Sequence, residues 1–223
     1  MRGRKSALGK LIVIDGLDGS GKNTQTKKLY ERLTRAGVPA CMVSFPDYES
    51  DSSALVKMYL GGAFGTDPES VNCYAASSFY AVDRYASFRL NWKADYDAGR
   101  IILANRYTTA NAIHQLAKLP LAERAAFLEW LWDYEFVKLA LPVPDRSILL
   151  ELPVEKSLQL IDHRGEKKDI HENRAHLEKA REAALQAADA WNWTRISCLD
   201  GSGELLPVEA ISDMIWNAVS DLV

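Results

Sequence analysis

Leu11-Ile12-Val13-Ile14-Asp15-Gly16-Leu17-Asp18-Gly19-Ser20-Gly21-Lys22-Asn23-Thr24 is the stretch on which the reading of this chain turns. Its apolar start predicts a short buried strand, Leu11 to Asp15, and the residues from Thr24 to Ala36 predict a helix. Between them the glycines let successive backbone N–H groups turn inward around an anion, and the helix N-terminus adds a favourable dipole. Lys22 can extend from that turn to terminal phosphates. Strand, glycine-rich turn and helix together are the context in which G-x-x-x-x-G-K is a phosphate-binding P-loop. The expected phosphate-binding set is Gly16, Asp18, Gly19, Ser20, Gly21, Lys22, Asn23 and Thr24. Asn23 stands where a magnesium-binding Ser or Thr is usual; its side-chain carbonyl is still an acceptable oxygen for a hard cation.

Four further strands are expected at Ala40 to Phe45, Arg100 to Asn105, Ser147 to Leu152 and Thr194 to Leu199. Each is short and aliphatic and is separated from the next by helical sequence, which argues a parallel sheet covered on both faces. The helices are expected at Ser53 to Leu60, at Pro68 to Ala98 with a break, at Leu121 to Leu139, from near Pro153, at His171 to Ala190 and at Pro207 to Leu222. With no repeat and no linker long enough to divide it, the chain reads as one α/β domain over residues 1–223. The charged segment 162–172, which holds Arg164, Lys167 and Lys168, reads as a lid that closes over phosphates.

The 223 residues carry 27 Lys and Arg against 30 Asp and Glu, a net charge of −3, with no dense basic block. That balance argues against nucleic acid as a partner. No apolar run approaches the ~20 residues that span a bilayer, so no membrane association is expected. The basic start Met1 to Lys5 is followed by too short an apolar run for a secretory signal. Three widely spaced cysteines, Cys41, Cys73 and Cys198, form no metal pattern and fit a reduced, cytoplasmic compartment.

Two arginines carry the chemistry beyond the P-loop. Asp83-Arg84-Tyr85 follows Phe79-Tyr80-Ala81-Val82, and Asn105-Arg106-Tyr107 ends the third strand. An arginine at the carboxyl end of a parallel strand faces the crevice where open α/β sheets bind ligands, and its planar fork suits a phosphate.

With these segments in view the sequence resembles the thymidylate kinases, P-loop nucleoside-monophosphate kinases. LIVIDGLDGSGKNTQ is similar to that family's first strand and P-loop, Phe45-Pro46 to its FP segment, and FYAVDRY to its F-x-x-D-R segment. NRYTTANAIHQ is similar to DRY-x-x-S-x-x-Y-Q, and LPVPDRSILLELPVE to LPxPD with the strand after it. The resemblance covers nearly the whole chain. It implies the P-loop NTPase fold, with a five-stranded parallel sheet, helices on both faces and a short lid. It also implies transfer of the γ-phosphate of ATP to dTMP, with Mg²⁺ as cofactor and ATP as co-substrate, and a homodimer. The P-loop set would then bind ATP, with Lys22 on its β- and γ-phosphates. Asp18 would reach the acceptor sugar, Phe45 and His114 would line the acceptor pocket, and Tyr80 would stack on the base. Arg84 would donate to a base carbonyl, Gln115 would sit at the base edge, and Arg106 would hold the acceptor phosphate. Gly19 in place of a loop arginine implies lid cations, with Arg164 at the transition state beside Lys167 and Lys168. Asn23 and Asn105 would face the metal.

The chain also departs from the family pattern. Asn105 replaces an aspartate, Ala110 a serine, His114 an aromatic residue and Asp47 an arginine that bridges the two phosphates. These changes leave open another nucleotide or a deoxynucleoside as acceptor, or a nucleotide-binding regulator without phosphoryl transfer.

Overall fold

A computed structural model describes residues 8–164 and 174–223. Its strands are β1 (Lys10–Gly16), β2 (Ala40–Ser44), β3 (Ile101–Asn105), β4 (Arg146–Glu151) and β5 (Thr194–Ser197). All pair in parallel, in the order β2-β3-β1-β4-β5. β5 stops short of Leu199. The Ser197 hydroxyl accepts from Leu199 N–H and donates to Leu199 C=O, and Leu199 instead bridges antiparallel to Leu205.

Alternation along β1 fills two cores. Ile12 and Ile14 pack with Leu29 and Leu33 of α1 (Lys22–Arg35) and Ile211 and Ile215 of α9 (Val208–Val219). Leu11 and Val13 pack on the other face with Phe88, Trp92 and Tyr107. That second face is covered by α3 (Cys73–Ser87), α4 (Lys93–Asp97), α5 (Thr108–His114), α6 (Leu121–Trp132) and α8 (Arg174–Ala190). A further helix, α2 (Ala54–Leu60), packs on α3, and α7 (Val154–Arg164) follows β4.

The expected break in Pro68 to Ala98 is a wide π-helical turn, Phe88–Trp92, between α3 and α4, and a similar turn, Asp133–Lys138, ends the helix expected over 121–139. Helix α5 is the element that periodicity does not mark. All but one of its residues are buried, so it has no polar face to set against an apolar one. It lies directly after β3 and brings His114 and Gln115 toward the carboxyl edge of the sheet. Among the described residues no helix is long and apolar enough to cross a membrane.

Candidate active site

The carboxyl ends of β1, β2 and β3 open onto one cavity of about 820 Å³, the position at which open parallel sheets bind ligands. The turn after β1 forms its floor. Gly19 and Gly21 both take left-handed backbone (φ 82°), which side-chain-bearing residues rarely adopt. Gly21 caps α1 in open space. Gly19 is packed: a Cβ there would lie 2.7 Å from the carbonyl oxygen of Ser157 in α7. Lys22 Nζ donates to Leu17 O and to Asp18 Oδ1, each at 3.1 Å. Burial, and then the nearby Arg106, lower the Lys22 pKa.

Arg106 is one of three described non-glycine residues with positive φ (65°). Its N–H donates to Ile14 O at 3.1 Å, locking the end of β3 to β1. The left-handed turn aims the guanidinium back across the sheet edge. There Nη2 donates to Asp18 Oδ1, and Nη1 lies 3.0 Å from His114 Nε2. Burial would raise the Asp18 pKa, but Arg106 and then Lys22 outweigh it and hold the carboxylate well below the usual range. One carboxylate oxygen therefore gathers the P-loop lysine and the β3 arginine. Beneath them Asp15 accepts from Gly16 N–H at 2.8 Å and from the Thr109 hydroxyl at 2.6 Å.

The cavity walls differ in chemistry. Phe45, Tyr48, Tyr80, Asn111, His114 and Gln115 make an aromatic and polar end. Leu152, Leu160, Cys198, Leu205, Leu206, Val208 and Ile211 make an apolar end, and the P-loop and Arg106 lie among the remaining lining residues. Ser20 Oγ, Asn105 Oδ1 and Gln115 Oε1 are buried without a hydrogen-bond partner, so the wall presents unsatisfied acceptors to a ligand. Asn105 Oδ1 and the exposed Asn23 amide on the same cavity are hard oxygen donors, which fits magnesium. Among the described residues no group of three His, Cys, Asp or Glu could hold a metal by itself. Magnesium bound with few protein ligands and with substrate phosphates needs no such group.

Residues 14–209 match the family model described as thymidylate kinase. The chain belongs to the thymidylate kinase family. It is similar to the thymidylate kinase of Mycobacterium tuberculosis, 29% identical over 191 residues, 82% of this chain and 87% of the relative. The probable thymidylate kinase of Thermococcus onnurineus is 29% identical over 187 residues, 83% and 87% of the two chains. In fold the chain matches the solved thymidylate kinase of Candida albicans with a TM-score of 0.71, at 20% identity over 97% of this chain and 93% of that one. Membership of the family makes this an ATP-dependent nucleoside-monophosphate kinase that phosphorylates dTMP to dTDP.

Against the family pattern the geometry sorts the expected site residues. Asp18 to Thr24, Phe45, Tyr80, Asn105, Arg106, His114 and Gln115 all line the cavity. Gly16 lies just behind it; a Cβ there would meet Leu150 O at 2.7 Å. Arg84 departs from expectation and is not on the wall. It is 1% exposed and grips Glu135 with two bonds, Nε to Oε2 at 2.8 Å and Nη2 to Oε1 at 2.5 Å, while Nη1 donates to Tyr107 O at 3.3 Å. A guanidinium held this way has no fork left for a base carbonyl. Asp47 is likewise not on the cavity wall, and its carboxylate accepts from Asn91 Nδ2 at 3.4 Å. The Arg164 side chain, Lys167 and Lys168 lie outside the described residues.

Several residues of the site escape a reading of the sequence. Asp83 accepts from Asp47 N–H at 2.8 Å and from the Ser52 hydroxyl at 2.6 Å, fixing the loop after β2. Glu135 also accepts from the Thr108 hydroxyl at 2.6 Å, tying α5 to the π-helical turn after α6. Its one signal in the sequence is a lone carboxylate on an otherwise apolar helical stripe of Leu131, Trp132 and Phe136. Tyr48 and the apolar wall from Leu205 to Ile211 carry no motif at all.

Proposed function

We propose that this chain transfers the γ-phosphate of MgATP to dTMP with Lys22 and Arg106 as the principal catalytic side chains. One observation carries the reading. Lys22 from the P-loop and Arg106 from the end of β3 converge on a single oxygen of Asp18. Two phosphoryl groups held by these two cations are therefore adjacent, as in-line transfer requires. Lys22 and the loop amides hold the β- and γ-phosphates. Arg106 holds the acceptor phosphate, which is already ionised and needs no general base. Magnesium, which Asn23 and Asn105 would hold, supplies charge neutralisation on the transferred group.

The apolar wall from Leu205 to Ile211 accommodates the donor base, and the aromatic end around Tyr80 stacks on the acceptor base. Gln115 Oε1, buried and lacking a partner, is suited to accept from a pyrimidine N3–H. Asp18, released from Lys22 and Arg106 by substrate anions, becomes available to the acceptor sugar hydroxyl. We further infer that the chain acts as one domain in the cytoplasm and as a homodimer, the latter supported by the exposed Val82, Tyr85 and Leu90 along α3 and the turn after it. Coupled ADP release across a panel of deoxynucleoside monophosphates and nucleosides tests the whole reading. dTMP should be the best acceptor, and absence of dTDP from a protein that binds both substrates would overturn it.

A further inference from the structure

We propose that His176, on α8, is a positioning residue for phosphoryl transfer: it fixes the tautomer of His114 and, through it, the guanidinium of Arg106. This rests on the reading of Arg106 as the holder of the acceptor phosphate.

One hydrogen-bonded line joins Arg106, His114 and His176. Arg106 Nη1 lies 3.0 Å from His114 Nε2, and His114 Nδ1 lies 3.2 Å from His176 Nε2. A guanidinium can only donate, so His114 Nε2 accepts. A neutral His114 must then carry its proton on Nδ1 and donate it to His176 Nε2, whose own proton sits on Nδ1. The two ring planes are within 5° of parallel. Both rings are buried, 6% and 7% exposed. Every ring nitrogen on the line between Arg106 and His176 thus has one allowed role, and the guanidinium at the cavity end has one preferred orientation.

Charged groups of both signs surround the pair. His176 is approached by Lys118 from the turn after α5, by Glu69 from the turn before α3, by Lys179 on its own helix and by Asp18 from the P-loop. His114 adjoins Arg106 and Asp18. Burial first, and Lys118 next, push His176 down to about 4. A proton on its Nε2 would set two N–H groups against each other and break the line. A ring needed only to fill space would not have to accept a hydrogen bond, and it could be replaced by an apolar side chain of similar size.

The test compares His176→Leu, which removes the acceptor, with His176→Gln, which supplies a carbonyl oxygen near the position of Nε2. Long-range proton–nitrogen NMR of the wild-type protein should find His114 protonated at Nδ1, the less common tautomer. In the leucine variant the KM for dTMP should rise about tenfold, the consequence of leaving a buried donor unsatisfied, while the KM for ATP stays put. The glutamine variant should restore the dTMP KM to within about twofold of wild type. A leucine variant that is folded and keeps the wild-type dTMP KM overturns the proposal. So does a wild-type His114 protonated at Nε2, a readout that does not depend on any variant folding. Arg106→Gln, run in parallel, separates the two ideas. If it leaves the dTMP KM unchanged, the phosphate reading and the inference fall together. If it raises the KM and His176→Leu does not, the inference alone falls.

Discussion

Two triplets of nearly the same sequence, Asp83-Arg84-Tyr85 and Asn105-Arg106-Tyr107, end in opposite kinds of environment. Arg84 projects from α3 into the protein interior, where Glu135 neutralises it and Tyr107 O and Thr108 complete the network. Arg106 leaves the end of β3 in a left-handed turn and reaches the cavity, where Asp18 and His114 hold it at 16% side-chain exposure. The buried arginine has a dedicated carboxylate and serves the fold. The cavity arginine shares its carboxylate with Lys22, so the partnership can be exchanged for a substrate anion. What separates them is the element that carries each triplet. A helix facing the core buries its arginine against a carboxylate, and a strand end at the sheet edge delivers its arginine to the cavity.

The two arginines should differ most in their effect on turnover. Replacing it with alanine should lower kcat/KM for dTMP by about 10³-fold or more, roughly 4 kcal/mol, in line with the loss of a cation at a phosphoryl-transfer transition state. Urea denaturation should show little change in stability. A small kinetic effect would move Arg106 into the same class as Arg84.

The converse change is Glu135→Ala, which leaves Arg84 charged and buried. It should cost about 3–5 kcal/mol of stability, read from the urea midpoint, with activity per folded molecule largely kept. A double replacement, Arg84→Met with Glu135→Leu, should recover most of that loss, because an apolar pair of similar volume is often neutral against a buried ion pair. If activity instead falls in proportion to stability, Arg84 also has a part at the cavity.

Acid should distinguish the regions next. His176, packed behind the cavity arginine, has its pKa lowered from 6.5 to about 4. The unfolded chain therefore binds more protons than the folded one between these values, and stability rises with pH there. The contribution is complete above about pH 6.5 and is lost as pH falls toward 4, about 3 kcal/mol at most. Denaturation at pH 7 and pH 4.5 should show this slope in the wild type and a flatter one in His176→Gln.

The smallest effect should come at Asp47. Asp47→Ala should change kcat/KM less than about twofold, since its carboxylate is turned toward Asn91 and worth no more than an exposed polar contact. A large gain would show that the carboxylate does repel phosphate during turnover.

Much of this fold is legible in the residues because the signals are local. The aliphatic runs of β1, β3 and β4 are bounded by turn residues, and the P-loop motif sits where strand and helix require it. Helix α5 was not legible, since burial on all sides erases the polar–apolar contrast that marks a helix. The partners of the site were not legible for another reason. Arg84 and Glu135 are 51 residues apart and His114 and His176 are 62 apart, and these distances are closed by tertiary packing alone. Even the orientation of Asp47 is decided remotely, by Asp83 holding its backbone and Asn91 its side chain. The cavity's cations lie in motifs, and the groups that aim them do not.

The contact between Gly19 and α7 has an evolutionary consequence. The Ser157 carbonyl occupies the space a side chain at position 19 would need, and the Ser157 hydroxyl is bonded to Asp18 O. Exchanging Gly19 for the loop arginine found in other members of the family would push this helix off the phosphate loop. A side chain at position 19 therefore requires α7 to move. Lineages carrying a glycine here would be expected to change the helix first, or not at all, and a reconstructed ancestor tolerant of both residues should show α7 displaced from position 19.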